Sequence, residues 1–165
     1  MERTLRARRL IAATLACAAL VLGLSVLLGS GRAQASATHT CSAPDKQFIQ
    51  TVRSNMDQLQ YWSDELQTND VDPATVVQQA RSEAAQVGAT GPTDPTLSLT
   101  RNLIRTMFIE YSRAVDAKYN NGDAGVHMRL AYTLANSVHD QLVGAQGALE
   151  AKGCDVAELL TAAST

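Results

Sequence analysis

The sequence is poor in aromatic residues. One Trp, four Tyr and two Phe among 165 positions leave any core to aliphatic side chains and alanine. No stretch alternates apolar and polar residues in the manner of a strand, and no segment repeats, so a β-fold and a solenoid are both excluded. Cys-x-x-Cys, Cys-x-x-Cys-His and His-Glu-x-x-His are missing, which removes the common redox, covalent-haem and zinc signatures. Glu65, Glu83, Glu110, Glu150 and Glu158 all lack a His three residues on, so the paired Glu-x-x-His of di-metal carboxylate bundles is missing too. There is no G-x-S-x-G elbow, and no Ser or Thr pairs recognisably with a His. No enzyme is expected.

What is present begins with a basic start. Arg3, Arg6, Arg8 and Arg9 stand against Glu2, and then no charged residue occurs from Leu10 to Gly31. Leu10–Leu28 is mostly Leu, Ala, Val and Ile, and Ala33-Gln34-Ala35 follows Arg32. A basic end, an apolar centre and an A-x-A site make a secretory signal over residues 1–35, with cleavage expected after Ala35 and Ala37 as the alternative. The competing reading keeps residues 10–28 as a membrane anchor with the remainder outside, since the run approaches the ~20 residues a spanning helix needs. Gly29 and Gly31 break the run just before the cut site and favour processing. Arg8-Arg9 lies in poor surroundings for a twin-arginine signal.

Cleavage changes the charge balance. Loss of Arg3, Arg6, Arg8, Arg9, Arg32 and Glu2 leaves nine basic and fifteen acidic residues, a formal charge of −6. An acidic surface without Lys/Arg clusters excludes nucleic acid as a partner and excludes polybasic docking on a membrane. Contact with a membrane is expected only through residues 10–28, if they are retained. Cysteine usage agrees with export. Cys17 leaves with the signal, and Cys41 and Cys154 remain as an even pair for an oxidising compartment. Thr14 stands where a lipidation site at Cys17 needs an aliphatic residue and the apolar run continues far past it, and Thr38-His39-Thr40 precedes Cys41.

Beyond a polar lead-in (residues 36–43), the spacing predicts four helices within a domain covering residues 44–160, followed by a short tail (161–165). Phe48, Val52, Met56, Leu59, Trp62 and Leu66 step by three and four along the first, which starts near Pro44-Asp45. Asp72-Pro73 starts the second, with Val76, Val77, Ala80, Ala84 and Val87 facing inward and Gly88 expected as a left-handed terminator. A loop is expected over 88–95. The third helix is expected from Thr96 or Ser98 to Asn120, burying Ile104, Met107, Phe108, Tyr111, Val115 and Tyr119. Asn120-Asn121-Gly122-Asp123 turns into the fourth, which buries Val126, Leu130, Leu134, Val138, Leu142, Ala145 and Leu149 and stops at Gly153. Asp155–Leu160 adds one short turn.

Short connections favour an antiparallel up-and-down four-helix bundle, an all-α fold. That topology brings the start of the first helix and the end of the fourth to one pole, where Cys41 and Cys154 can bond within the ~7 Å limit on Cα separation. The closed loop stabilises such a thinly stocked core by roughly 4–5 kcal/mol in the chain-entropy account.

Few residues suggest a site. Tyr61 and Trp62 are adjacent, hence about 100° apart on a helix, so a buried Trp62 leaves Tyr61 at an edge or groove. The ordinary reading is core and boundary packing; the functional one is a ligand or partner groove of Tyr61, Trp62 and His127. His127 and His139 differ by about 120° and ~18 Å and cannot share one site. Asp123 and His127 are four apart, which reads as a capping Asp beside a solvent-facing His. Glu110, Arg113 and Asp116 read as a solvated i,i+3 ladder, and Met56, Met107 and Met128 as core filler. No cofactor and no metal site is assigned.

The outline of signal, helical domain and one disulfide resembles that of small exported haem carriers. Their Tyr-x-x-x-His element is missing here, because Tyr61 is followed four residues later by Glu65, and the family is not assigned. The expectation is an exported helical bundle of the bacterial envelope or medium, binding or structural in role, with an unknown protein or small-molecule partner. The alternative is an extracytoplasmic haem- or metal-binding carrier that uses His127 with a Tyr or Met from another helix.

Overall fold

The structure, a computed structural model, describes residues 40–162. The expected signal or anchor, most of the lead-in with His39, and the last three residues lie outside that range. Among the described residues every regular element is a helix: α1 (Ala43–Thr68), α2 (Pro73–Ala89), α3 (Pro95–Tyr119), α4 (Ala124–Ala151) and the short α5 (Ala157–Ala162). No described helix is long and apolar enough to cross a membrane.

Caps account for the boundaries. Ser42 and Asp45 form a reciprocal capping box at the start of α1, with Pro44 in the first turn. Asp72 and Asp94 cap α2 and α3 through their own carboxylates, each followed by Pro, and Asp123 caps α4. Each caps by accepting from backbone N–H groups that the helix leaves unsatisfied. The Asp94-Pro95 pair starts α3 ahead of the expected Thr96 or Ser98, so Leu97 and Thr100 are also buried. Asn69 closes α1 in a left-handed conformation (φ 63°). Gly153 (φ 77°) does the same beyond α4, where Cys154 N–H reaches back to the Leu149 carbonyl.

Gly88 is a correction. The helix runs through it to Ala89, and the turn is made by Thr90, whose hydroxyl donates to the Val87 carbonyl at 2.6 Å. At Gly88 a Cβ would lie 3.1 Å from Arg105 Cδ, so the small residue admits the Arg105 stem rather than an unusual φ.

The four long helices pack against one another with α3 between α2 and α4. α1 lies on α2 and touches α3 more lightly. α5 fits against both α1 and α4, and α1 and α4 do not pack directly on each other. The main core holds Phe48, Val52, Leu97, Ile104, Phe108, Leu142, Leu149 and Val156, each at most 1 % exposed. At that burial each side chain contributes about 2 kcal/mol before entropy is charged against it. A smaller cluster of Val76, Val77 and Val115 gathers Trp62, Leu66, Val71 and Tyr111 around it.

Two expected core faces are displaced. On α4 the buried line is Ala131, Val138, Leu142 and Leu149, whereas Val126 and Leu130 are exposed. The reason is that α4 packs on α3 and α5 without α1, so one flank of its apolar stripe meets no helix. Tyr119, at the last residue of α3, is likewise exposed.

Cys41 and Cys154 form a disulfide with Cα atoms 4.9 Å apart, closing 113 residues of chain. Cys41 N–H also donates to the Lys152 carbonyl, so backbone and sulfur join the same two segments.

Candidate functional site

Beside the disulfide lies a polar knot. Asp45 is 4 % exposed, and its carboxylate accepts from Ser42 Oγ (2.6 Å), Ser42 N (3.4 Å), Thr93 N (2.6 Å), Thr93 Oγ1 (3.0 Å) and Asp94 N (3.0 Å). Burial alone would raise its pKa, but these donors outweigh it and hold the group at about 2. Asp94 next to it takes Lys152 Nζ at 2.6 Å. Burial opposes ionisation there as well, and the Lys152 bond with the capping N–H groups brings the Asp94 pKa down. Cys41, Asp45 and Cys154 place one potential ligand atom each within 4.8 Å of one another. Both sulfurs are used in the disulfide, so the trio is not a metal donor set, and its chemistry is structural.

The second feature is a groove of roughly 430 Å³ along the seam of α1 and α2, lined by Ser54, Asp57, Gln58, Tyr61, Trp62 and Gln79. Trp62 is half-buried because its indole joins the Val76–Val115 cluster, and Tyr61 is 54 % exposed. Their rings meet edge to face at 5.0 Å, a favourable arrangement for two quadrupoles. Below the groove, Ser63 Oγ and Tyr111 Oη are 2.6 Å apart and link α1 to α3. A larger hollow of about 570 Å³ separates the start of α2 from the end of α3, where Arg81 stands among Asp72, Asp116 and Tyr119.

His127 does not line the groove. It sits on α4 with Nδ1 2.7 Å from Glu110 Oε2 of α3, and Arg113 pairs with the other oxygen of the same carboxylate. Glu110 is 4 % exposed, which corrects its reading as part of a solvated ladder. The His127 hydrogen bond, against the effect of burial and with help from Arg113, lowers the Glu110 pKa. Asp123 caps α4 through the Gly125 and Val126 N–H groups and leaves His127 to its partner on α3. Of the residues singled out from sequence, the structure therefore joins Cys41 to Cys154 and Tyr61 to Trp62, and keeps His127 apart.

Glu83 on α2 was not singled out as a site. It is fully buried, both carboxyl oxygens lack a hydrogen-bond partner, and burial pushes its pKa up to about 7. The Asn55 amide beside it donates to the Glu83 backbone carbonyl at 3.2 Å, not to the carboxyl. A signal existed in the sequence: Glu83 falls at i+3 from Ala80 and i−4 from Val87, on the inward stripe.

Searched against protein-family models, curated proteins and solved structures, the chain has no match in any of the three.

Proposed function

We propose that the chain is exported by a cleaved signal over residues 1–35 and works outside the cytoplasm as a non-catalytic binding module, an antiparallel up-and-down bundle closed by one disulfide. The contacts that support this topology pair the start of α3 with the end of α4 (Asp94 with Lys152) and the start of α1 with the start of α3 (Asp45 with Thr93). The Cys41–Cys154 bridge supports an oxidising compartment. The observation that carries the binding role is the α1–α2 groove, in which an exposed Tyr61 stands over the half-buried Trp62. Aromatic side chains left half in water beside polar groups are what small-molecule and partner sites are commonly made of.

Mass spectrometry of the native exported form tests the reading under denaturing and non-denaturing conditions. The expected result is a chain starting at Ser36, two mass units below the reduced sequence, with a bound species that is lost from Tyr61→Ala. A mass starting at Met1, or turnover of an envelope substrate by the pure protein, overturns it.

A second reading, a haem- or metal-binding carrier using His127, is favoured by one observation. A buried carboxylate fixes Nδ1 of the ring, the arrangement that commonly orients a ligating imidazole through its other nitrogen. An absorbance spectrum and elemental analysis of the native protein decide it: a clean spectrum with no bound metal disposes of this reading.

A further inference from the structure

The groove has a charge character as well as a shape. Its six lining residues include one carboxylate, Asp57, and no basic side chain. The bases on α1 and α2 are Lys46, Arg53 and Arg81. Arg53 pairs with Glu158 on α5, Arg81 lines the other hollow, and Lys46 lies two turns before Ser54. Among the described residues Asp57 makes no ion pair. The groove thus holds one carboxylate beside two aromatic rings and no positive charge among the residues that line it.

We propose that the α1–α2 groove takes a small organic ammonium ion, its charged head between Asp57 and the rings of Tyr61 and Trp62. This rests on the reading of the groove as a binding site. An aromatic face attracts a cation through its quadrupole, and a carboxylate nearby adds Coulomb attraction at a partly exposed site. The Gln58 and Gln79 amides offer carbonyl acceptors for the ammonium N–H groups. The volume suits a single small molecule, within the usual range of ~300–1,000 Å³.

Trp62 is the single tryptophan of the chain, so its fluorescence reports on the groove without labelling. The experiment titrates the oxidised exported form with n-butylammonium chloride, 1-butanol and sodium butyrate, which share one alkyl stem and differ in charge. The expected result is a saturable change with butylammonium in the millimolar range, a weaker one with butanol and none with butyrate. Asp57→Asn weakens butylammonium roughly twofold to fivefold and leaves butanol unchanged, and raising the salt has a similar effect. Tyr61→Ala weakens it by a comparable factor. Both positions are exposed, and circular dichroism verifies that the variants are folded.

Equal responses to butylammonium and butanol overturn the choice of a cation and leave the groove reading standing. A butyrate response above that of butylammonium overturns it in favour of an anion. Silence of Trp62 toward all three overturns the ammonium ligand, and the groove itself then answers to the native mass measurement. An oligolysine peptide that perturbs Trp62 where butylammonium does not overturns it in favour of a protein partner.

Discussion

Asp45 and Glu83 are buried carboxyl groups on neighbouring helices, and their surroundings are opposites. Asp45 accepts five hydrogen bonds and is held at about 2; Glu83 accepts none and is pushed up to about 7. Removing water from a carboxylate is costly in both places, and the difference lies in what replaces the water. At the disulfide pole, two chain turns supply N–H and O–H groups that α1 and α3 would otherwise leave unsatisfied at their N-termini. At Glu83 nothing replaces the water: neither carboxyl oxygen has a donor, and the Asn55 amide beside it is committed to the backbone carbonyl. Glu110 is the intermediate case, with His127 on one oxygen and Arg113 on the other. Burial therefore says little about a carboxyl until its donors are counted.

The sharpest way to break this contrast is to take the pole apart. Replacing both Cys41 and Cys154 by Ser releases a loop of 113 residues. It is expected to cost roughly 4–5 kcal/mol, read as a fall in the urea midpoint. An unchanged midpoint would show that the Asp45 knot holds the pole alone. Asp45→Ala strands the Thr93 and Asp94 N–H groups together and is expected to cost about 3 kcal/mol at pH 7.

The pH dependence carries opposite signs at the two carboxyls. The folded pKa of Asp45 lies below its ordinary 3.8, so its contribution is complete above that value and is lost as pH falls toward about 2. The folded pKa of Glu83 lies above its ordinary 4.5. The unfolded chain therefore releases this proton first, and stability falls as pH rises from 4.5 to about 7 and then levels off. Glu83→Met fills the same space without a charge to bury and is expected to stabilise the protein by about 2 kcal/mol at pH 8 and by much less at pH 4. Equal gains at both pH values would mean that folding does not raise the Glu83 pKa. The smallest effect belongs to Glu110: His127→Ala leaves Arg113 in place and should cost about 1 kcal/mol in thermal or urea unfolding.

The helices were legible in the sequence because their punctuation is explicit. Asp72-Pro73, Asn120-Asn121-Gly122-Asp123 and Gly153 each mark a boundary through a cap, a turn or a positive φ. The joining of Cys41 to Cys154 was legible because they are an even pair just outside the first and last long helices. Gly88 misled because a glycine inside a helix and a glycine ending one look alike in a string, and the difference is the Arg105 stem from another helix. Val126 and Leu130 misled because periodicity shows that a face is apolar without showing whether a neighbour covers it. Glu110 was read as solvated because its partner His127 lies 17 positions away, across a turn, where i,i+3 arithmetic does not look. At the groove, adjacency alone was enough to set Tyr61 outward once Trp62 turned in. Asp57 and Gln79 belong to it through the approach of two helices, which no local spacing records.

The Cys41–Cys154 link makes the folded domain a covalent ring, with chain continuing outside it on both sides. A protease that cuts one bond between those cysteines frees neither piece. The nicked protein gains the mass of a single water and runs as one band until a thiol is added, when it parts into two. Limited digestion followed by electrophoresis with and without reductant thus maps the accessible turns of the ring, while a cut outside it simply trims an end.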